Sequence, residues 1–176
     1  ILALSRKIYL GAQQVKSAGA FTYDGLQGFE LKGKTLGIIG TGRIGRHMLP
    51  IARGFGLNLI AHDPSPDQKL ASEFGFRYVG IDELLSASDI VSLHVPYLTS
   101  THHLISTERL AKLKPTSILI NVSRGGLIDT EALLAALGEG KLAGAALDVL
   151  EEEGFVKDEY SFLRFGHPQE QALKTV

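Results

Sequence analysis

The sequence contains no cysteine, so disulfide bonds and thiolate metal ligands are excluded. A chain without disulfides suits a reducing compartment, and we expect a cytoplasmic protein. No apolar run approaches the roughly 18 residues that a membrane-spanning helix needs, which argues against a membrane partner. The 19 acidic and 18 basic residues leave a net charge of −1, which offers no long-range attraction to nucleic acid.

The remaining composition is that of an ordinary globular domain, with 44% apolar and 21% charged residues. A chain of 176 residues suffices for one domain with a full core and is short for two. It begins at Ile1 instead of Met, inside a helical pattern, so we expect a piece of a longer protein. Apolar residues spaced three and four apart predict one helix over residues 1–18.

The stretch KTLGIIGTGRIG, residues 34–45, carries the most informative spacing in the chain. An apolar run ends at Gly40, and Gly42 and Gly45 complete the pattern G-x-G-x-x-G, which is typical of a strand, a tight turn and a dinucleotide-binding helix. Gly40 allows the turn, Gly42 leaves the phosphates unobstructed, and Gly45 lets the helix pack on the strand. The pyrophosphate would lie at the helix N-terminus. In a chain with 20 glycines, however, this spacing can also mark an ordinary turn.

A second apolar run, LNLIAHD, ends in Asp63, which lies 18 residues after Gly45. An acidic residue about 20 residues past the glycine pattern can accept hydrogen bonds from the adenosine ribose. It would also repel a 2′-phosphate, so we expect NAD in preference to NADP. Ahead of Pro64, Asp63 could instead serve only as a turn or cap residue; its spacing and strand context favour the ribose.

Further short apolar runs alternate with helical patterns and predict strands over residues 76–79, 88–95, 117–122 and 142–149. Continuously apolar strands that alternate with helices indicate a parallel sheet covered on both faces. We therefore predict an α/β protein in three layers, a doubly wound parallel sheet of the Rossmann type with strand order 3-2-1-4-5-6.

Helix starts are predicted from capping residues. Ser65, with Pro66 and Gln68 after it, forms a capping-box pattern for a helix that runs to about residue 74. Asp82 and Ser106 are expected to cap the next two helices, the second of which would end with Lys112 and Lys114 in its last turn, before Pro115. A further helix is predicted over residues 130–137.

Polar or special residues follow most of the predicted strands, and parallel strands bring such ends to one edge of the sheet. Arg124 is the candidate for substrate, because a guanidinium binds a carboxylate through two parallel hydrogen bonds. The alternative is a surface ion pair, for example with the acidic run of residues 151–153. His94 either lines the pocket or is a buried, satisfied histidine. His102 and His103 lack the spacing of helical metal ligands, and no carboxylate set completes a site in the sequence, so no metal is expected.

These residues resemble the D-isomer-specific 2-hydroxyacid dehydrogenases, specifically the NAD-binding domain of that family. The motifs GKTLGIIGTGRIG, SLHVPYLTSTHHLI and NVSRGGLIDTEALLAALGEGKLAGAALDVLEEE occur in the family's order. The resemblance implies that Arg124 binds the substrate carboxylate. Beyond the three glycines, it implies NAD contacts from Arg43, Ile44, Asp63, Val95, Pro96, Thr101, Val122, Ser123 and Asp148.

The resemblance also selects Glu153, which lies 29 residues after Arg124, as the catalytic glutamate. In the family this glutamate hydrogen-bonds an acid/base histidine in a later Pro-His motif. His167 precedes a proline instead of following one, so we do not assign it that role. We expect a dinucleotide-binding domain over residues 1–154, with 1–18 as a connecting helix, and a tail over 155–176 that leads towards a substrate domain outside this sequence.

The function implied is hydride transfer between NAD and a D-2-hydroxy acid or 2-keto acid, with little turnover by this chain alone. Two alternatives stay open from the sequence. One is an NAD-sensing, corepressor-like binding protein without turnover. The other is a phosphoglycerate, formate or phosphite dehydrogenase on the same frame. Family members commonly dimerise through this domain and the first helix, so a homodimer is expected.

Overall fold

A parallel sheet of six strands forms the centre of the computed structural model, which describes residues 1–18 and 23–151. The strand order is β3-β2-β1-β4-β5-β6, as predicted. The strands are β1 (Thr35–Ile39), β2 (Asn58–His62), β3 (Arg77–Tyr78), β4 (Ile90–Leu93), β5 (Ile118–Asn121) and β6 (Gly144–Leu147). Within the described part, no helix has both the length and the apolar character needed to cross a membrane.

Helices cover both faces of the sheet and complete the three predicted layers. They are α1 (Leu2–Ser5), α2 (Ile8–Ala18), α3 (Gly45–Gly54), α4 (Gln68–Phe74), α5 (Ile81–Ala87), α6 (Thr107–Leu110) and α7 (Thr130–Gly138). Successive strand side chains point to opposite faces, so β1 contributes Ile38 to one core and Ile39 to the other. The core containing Ile38 includes Leu49 of α3, and that containing Ile39 includes Leu84 of α5 and Leu133 of α7. The predicted fold class is confirmed.

The single helix predicted over residues 1–18 is wrong, because the chain forms two helices there. Lys7 has a positive φ of 53°, which lies outside the right-handed helical region. The carbonyl of Ser5 accepts a hydrogen bond from the Phe29 amide at 2.9 Å. That contact with the loop before β1 coincides with the interruption between α1 and α2.

Two of the predicted helix caps are also wrong. The N-cap of α4 is Asp67, whose carboxylate accepts hydrogen bonds from the amides of Lys69 and Leu70, both at 3.1 Å. Ser65 lies two residues earlier, in the turn before the helix, where its amide donates to the Asp63 carboxylate at 2.9 Å.

Asp82 lies in the first turn of α5, where Gly80 is the N-cap. Ser106 does precede α6, but its hydroxyl donates to the Glu108 carboxylate instead of capping the backbone. The helix ends at Leu110, so the prediction that Lys112 and Lys114 lie in its last turn is wrong. The Lys114 side chain instead donates to the Ala87 carbonyl at 2.8 Å.

Candidate functional site

The turn after β1 is built from glycines at positions where a side chain would collide. Gly40 has φ +94°, and a Cβ there would lie 2.7 Å from the carbonyl oxygen of His94. A Cβ on Gly45 would overlap the carbonyl of Gly40, so α3 begins directly against the end of β1. Gly42 differs from both, because the space where its Cβ would lie is open. The turn is therefore tightly packed at its two ends and open in the middle.

The start of α3 faces this open position. The N-cap residue is Ile44, and no side chain caps the helix. Amide groups in the first turn of a helix have no partner inside the helix, and its dipole favours an anion there. Arg43 and Ile44 are both exposed, and the Ile44 side chain is 70% accessible. The arrangement leaves room and hydrogen-bond donors for a phosphate group.

Asp63 follows β2 and lies beside the glycine turn. Its Oδ2 atom accepts hydrogen bonds from the Thr41 amide at 2.8 Å and the Thr41 hydroxyl at 3.1 Å, and its Oδ1 atom accepts from the Ser65 amide. Burial raises the pKa of this carboxyl, but the hydrogen bonds from Thr41 and Ser65 together hold the pKa below its usual value. The group is therefore ionised near neutral pH.

Asp63 and Gly42 share one open cleft of about 700 Å³. We call this space the glycine-turn cleft, defined by Thr41, Gly42, Arg46, Asp63, Ser65 and Lys69. Arg46 lies at its rim, 3.9 Å from the Asp67 carboxylate. The cleft thus contains an ionised carboxylate next to backbone that a ligand can approach.

The other predicted cofactor residues lie along the same edge of the sheet. Ser123 donates its hydroxyl to the Leu93 carbonyl at 2.9 Å, and the Asp148 amide donates to the Asn121 carbonyl at 2.9 Å. Val95 is half-buried and lies next to the position a Cβ on Gly40 would occupy. Pro96, Val122 and Asp148 are exposed. The Thr101 hydroxyl is used within its own loop, where it accepts from the Leu98 amide at 2.7 Å.

Arg124 lies at the far end of this edge, in a groove of about 450 Å³. We call it the Arg124 groove, defined by Tyr97, Arg124, Gly126, Val149, Leu150 and Glu151. The buried Asn121 side chain donates to the Arg124 carbonyl at 2.8 Å and accepts from the Ser123 amide at 3.0 Å, which fixes the turn. The guanidinium donates to the Ser123 carbonyl, and no carboxylate of residues 1–18 or 23–151 lies within 4 Å of it. The alternative of an ion pair is therefore not realised among these residues.

Glu153, the predicted catalytic glutamate, lies outside the described residues. Within them, Glu151 of the same acidic run has two side-chain partners. Its Oε1 atom is 2.7 Å from His103 Nε2, and its Oε2 atom accepts from the Thr130 hydroxyl at 3.0 Å. Burial raises the pKa of Glu151, but hydrogen bonds from His103 and Thr130 bring the pKa below its usual value. The sequence did not distinguish Glu151 within the acidic run, because its partner His103 is 48 residues away.

The two adjacent histidines do meet a carboxylate, contrary to the expectation that none completes their site. The rings of His102 and His103 stack with centroids 3.9 Å apart. One possible metal-ligand atom from each of His102, His103 and Glu151 lies within 4.8 Å of the other two. These atoms have protein partners, since His102 Nδ1 is also 3.1 Å from the Tyr97 hydroxyl. The cluster is accounted for by hydrogen bonding, and we assign no metal to it.

His94 is partly buried, lines neither the glycine-turn cleft nor the Arg124 groove, and is only partly satisfied. Its Nε2 atom is 2.9 Å from the Ser92 hydroxyl, while its Nδ1 atom is buried without a partner among the described residues. Burial lowers the pKa of this histidine, so it is neutral at pH 7. It lies beneath the glycine turn, where its Cβ would be 3.3 Å from a Cβ on Gly45.

Known proteins are similar to this chain over most of its length. A family model described as "D-isomer specific 2-hydroxyacid dehydrogenase, NAD binding domain" matches residues 1–169. The chain is 45% identical over 155 residues to a 2-hydroxyacid dehydrogenase homolog of Zymomonas mobilis, covering 88% of this chain and 46% of that protein. It is 47% identical over 160 residues to a D-lactate dehydrogenase of Curvularia clavata, covering 90% of this chain and 45% of that protein.

Among solved structures, the fold is similar to that of D-lactate dehydrogenase from Aquifex aeolicus complexed with NAD and lactic acid. The TM-score is 0.88 at 34% sequence identity, and the match covers 99% of this chain and 52% of that one. The chain thus spans about half the length of the relatives it matches.

Proposed function

Because the chain belongs to the D-isomer-specific 2-hydroxyacid dehydrogenase family through its NAD-binding domain, we propose that it binds NAD in the glycine-turn cleft. There it supplies the cofactor half of an enzyme that transfers a hydride between NAD and a D-2-hydroxy acid or 2-keto acid. The main observation that supports NAD binding in this cleft is that Gly42 and Asp63 line the same opening. A phosphate can approach one and a ribose hydroxyl the other.

The pyrophosphate lies against Gly42 and the uncapped first turn of α3, with Arg43 and Ile44 beside it. The ribose hydroxyl donates to Asp63, whose ionised carboxylate can only accept. The remaining proposed NAD contacts follow the strand ends towards the Arg124 groove, from Val95, Pro96 and Thr101 to Val122, Ser123 and Asp148.

The bound nicotinamide supplies the hydride acceptor or donor for the reaction. Arg124 binds the substrate carboxylate through two hydrogen bonds and orients the reacting carbon. The absence of a competing carboxylate among the described residues near its guanidinium supports this role. Glu153 holds the acid/base histidine that the family carries further along its chain, and raises its pKa. The class of substrate, a small 2-hydroxy or 2-keto acid, follows from the family and the arginine.

We also propose that two copies associate through the first two helices and that the protein works in the cytoplasm. Leu2, Ile8, Tyr9 and Val15 are between 50% and 75% exposed, which leaves an apolar surface on α1 and α2. Light scattering should give the mass of a dimer. A monomer at high protein concentration would contradict the proposal.

Titration of NADH into the chain tests the function directly, with binding followed by calorimetry. Asp63→Ala should weaken NADH about 10-fold to 100-fold, as expected for a charge-assisted hydrogen bond. Arg124→Ala should change the affinity less than about twofold, because its proposed ligand is the substrate. Unchanged affinity in the first variant removes the ribose assignment, and a large loss in the second assigns Arg124 to the cofactor.

A further inference from the structure

Three side chains from separate parts of the chain form a continuous series of hydrogen bonds at the glycine-turn cleft. The Tyr78 hydroxyl is 2.8 Å from the Thr41 hydroxyl, which is 3.1 Å from Asp63 Oδ2. Tyr78 lies on the edge strand β3, where its ring packs edge to face against buried Phe76 with centroids 5.0 Å apart. Thr41 is 4% exposed. The series therefore connects the rim of the sheet to the carboxylate through a buried hydroxyl.

The direction of these hydrogen bonds follows from chemistry. An ionised carboxylate can only accept, so the one hydroxyl proton of Thr41 points to Asp63. The Thr41 oxygen then accepts a hydrogen bond from the Tyr78 hydroxyl. With the reverse direction, the Thr41 and Asp63 oxygens would face each other at 3.1 Å with no proton between them.

The series also determines which carboxylate oxygen remains available. Oδ2 accepts two hydrogen bonds, from the amide and the hydroxyl of Thr41, and these use both of its lone pairs. Oδ1 accepts one hydrogen bond, from the Ser65 amide, and can accept one more hydrogen bond. Asp63 can thus accept one ribose hydroxyl through Oδ1 without breaking a contact within the protein.

We propose that Tyr78 and Thr41 are positioning residues that set the dinucleotide preference, by holding Asp63 in one orientation with Oδ1 available to the ribose. The proposal rests on the proposed binding of NAD in the same cleft. A carboxylate that is already oriented loses less freedom on binding, which favours the ribose hydroxyl. The same fixed negative charge disfavours a 2′-phosphate. Arg46 and Lys69 line the cleft and would attract that phosphate if Asp63 turned away.

The test uses two variants that remove one hydroxyl each, Tyr78→Phe and Thr41→Val, and measures Kd for NADH and NADPH with the full chain. Both variants should weaken NADH by about 3-fold to 10-fold, which corresponds to the loss of one hydrogen bond. NADPH should be unaffected or bind more tightly, so the NADPH-to-NADH ratio of Kd values falls. The pKa of Asp63, measured by carboxyl NMR, should rise in Thr41→Val because that variant loses the hydroxyl that donates to Oδ2, and should rise less in Tyr78→Phe because that hydroxyl remains. The other titratable groups near the cleft, His62, Arg46, Lys69 and Asp67, are the same in both variants.

Two controls separate positioning from folding. Thr41→Ser keeps the hydroxyl and should keep the wild-type ratio, whereas Thr116→Val removes an exposed hydroxyl in the loop before β5 and should change neither Kd. Equal weakening of NADH and NADPH in Tyr78→Phe, or an unchanged ratio, overturns the proposal while leaving NAD binding intact. Failure of the wild-type chain to bind NADH overturns the proposed function, and the inference with it.

Discussion

The glycine-turn cleft and the Arg124 groove lie on the same edge of the sheet, yet they are built in different ways. The cleft is made by backbone and by groups that are already hydrogen-bonded, with Asp63 held from both oxygens. The groove presents an exposed guanidinium whose hydrogen bond goes to the carbonyl of its own neighbour, Ser123. The cleft is thus preorganised for a ligand, whereas the guanidinium of the groove has no carboxylate partner among the described residues.

The difference agrees with the two ligands proposed for these sites, a dinucleotide and a small acid. Binding of a dinucleotide depends on close backbone approach, which glycines and parallel strands provide within one sheet. Recognition of a small acid depends on charges brought together from several loops. We therefore expect changes in the cleft to alter folding and cofactor affinity, and changes in the groove to alter recognition of the proposed acid and local stability.

The largest effect is expected from a methyl group added at the packed end of the glycine turn. Gly45→Ala places a Cβ against the Gly40 carbonyl, and we expect the free energy of unfolding to fall by at least about 3 kcal/mol. Gly42→Ala adds the same atom in open space and should change that free energy by less than about 0.5 kcal/mol, yet weaken NADH at least about 10-fold. Denaturant unfolding and NADH titration measure both; equal destabilisation by the two would contradict the packing described.

A smaller effect is expected in the groove. Glu151→Gln weakens the contacts to His103 and Thr130, and the free energy of unfolding should fall by about 1 kcal/mol at pH 7. Because the folded pKa of Glu151 is lowered, its contribution is present above its ordinary pKa and is lost as pH falls through the folded value. Glu139→Gln, on an exposed ion pair with Lys141, is the matched control and should stay within about 0.5 kcal/mol. A similar loss in both variants would contradict a specific contribution of the Glu151 contacts to the free energy of unfolding.

The smallest effect concerns His94, which lies beneath the glycine turn. Its folded pKa is lowered by burial, so between its folded and unfolded pKa values the unfolded chain binds more protons. Stability should therefore decrease as pH falls below about 6.5, the unfolded value for histidine. His94→Gln removes this part of the pH dependence. Denaturant unfolding at several pH values between 7.5 and 5.5 measures it, and an identical slope in wild type and variant would show that His94 is not the group responsible.

The fold could be predicted from the sequence because its determinants are local and repetitive. Apolar runs bounded by glycine, proline or polar residues predicted the six strands, and right-handed crossovers fixed their order. The caps could not be predicted in the same way. Ser65 and Asp67 both suit an N-cap, and in the folded chain the Asp67 carboxylate binds the first amides of the helix while Ser65 lies in the preceding turn.

The site was predictable to the extent that it depends on spacing along the chain. Gly42 and Asp63 could be predicted, because an acidic residue about 20 residues after the glycine pattern is typical of a dinucleotide site. Tyr78 does not, because FRYV reads as an ordinary strand and its partner Thr41 is 37 residues away. Glu151 is equally hidden within three identical glutamates. Contacts of this kind depend on the assembled fold.

Amide chemical shifts of a ¹⁵N-labelled sample locate NADH on the chain and so test whether the cofactor lies in the glycine-turn cleft. We predict the largest changes at the amides of Gly42, Ile44 and Asp63, with no change at Gln14 on α2. Absence of any change at saturating NADH, or changes centred on α2 with Gly42 and Asp63 unaffected, would contradict the assignment of the cofactor to the glycine-turn cleft.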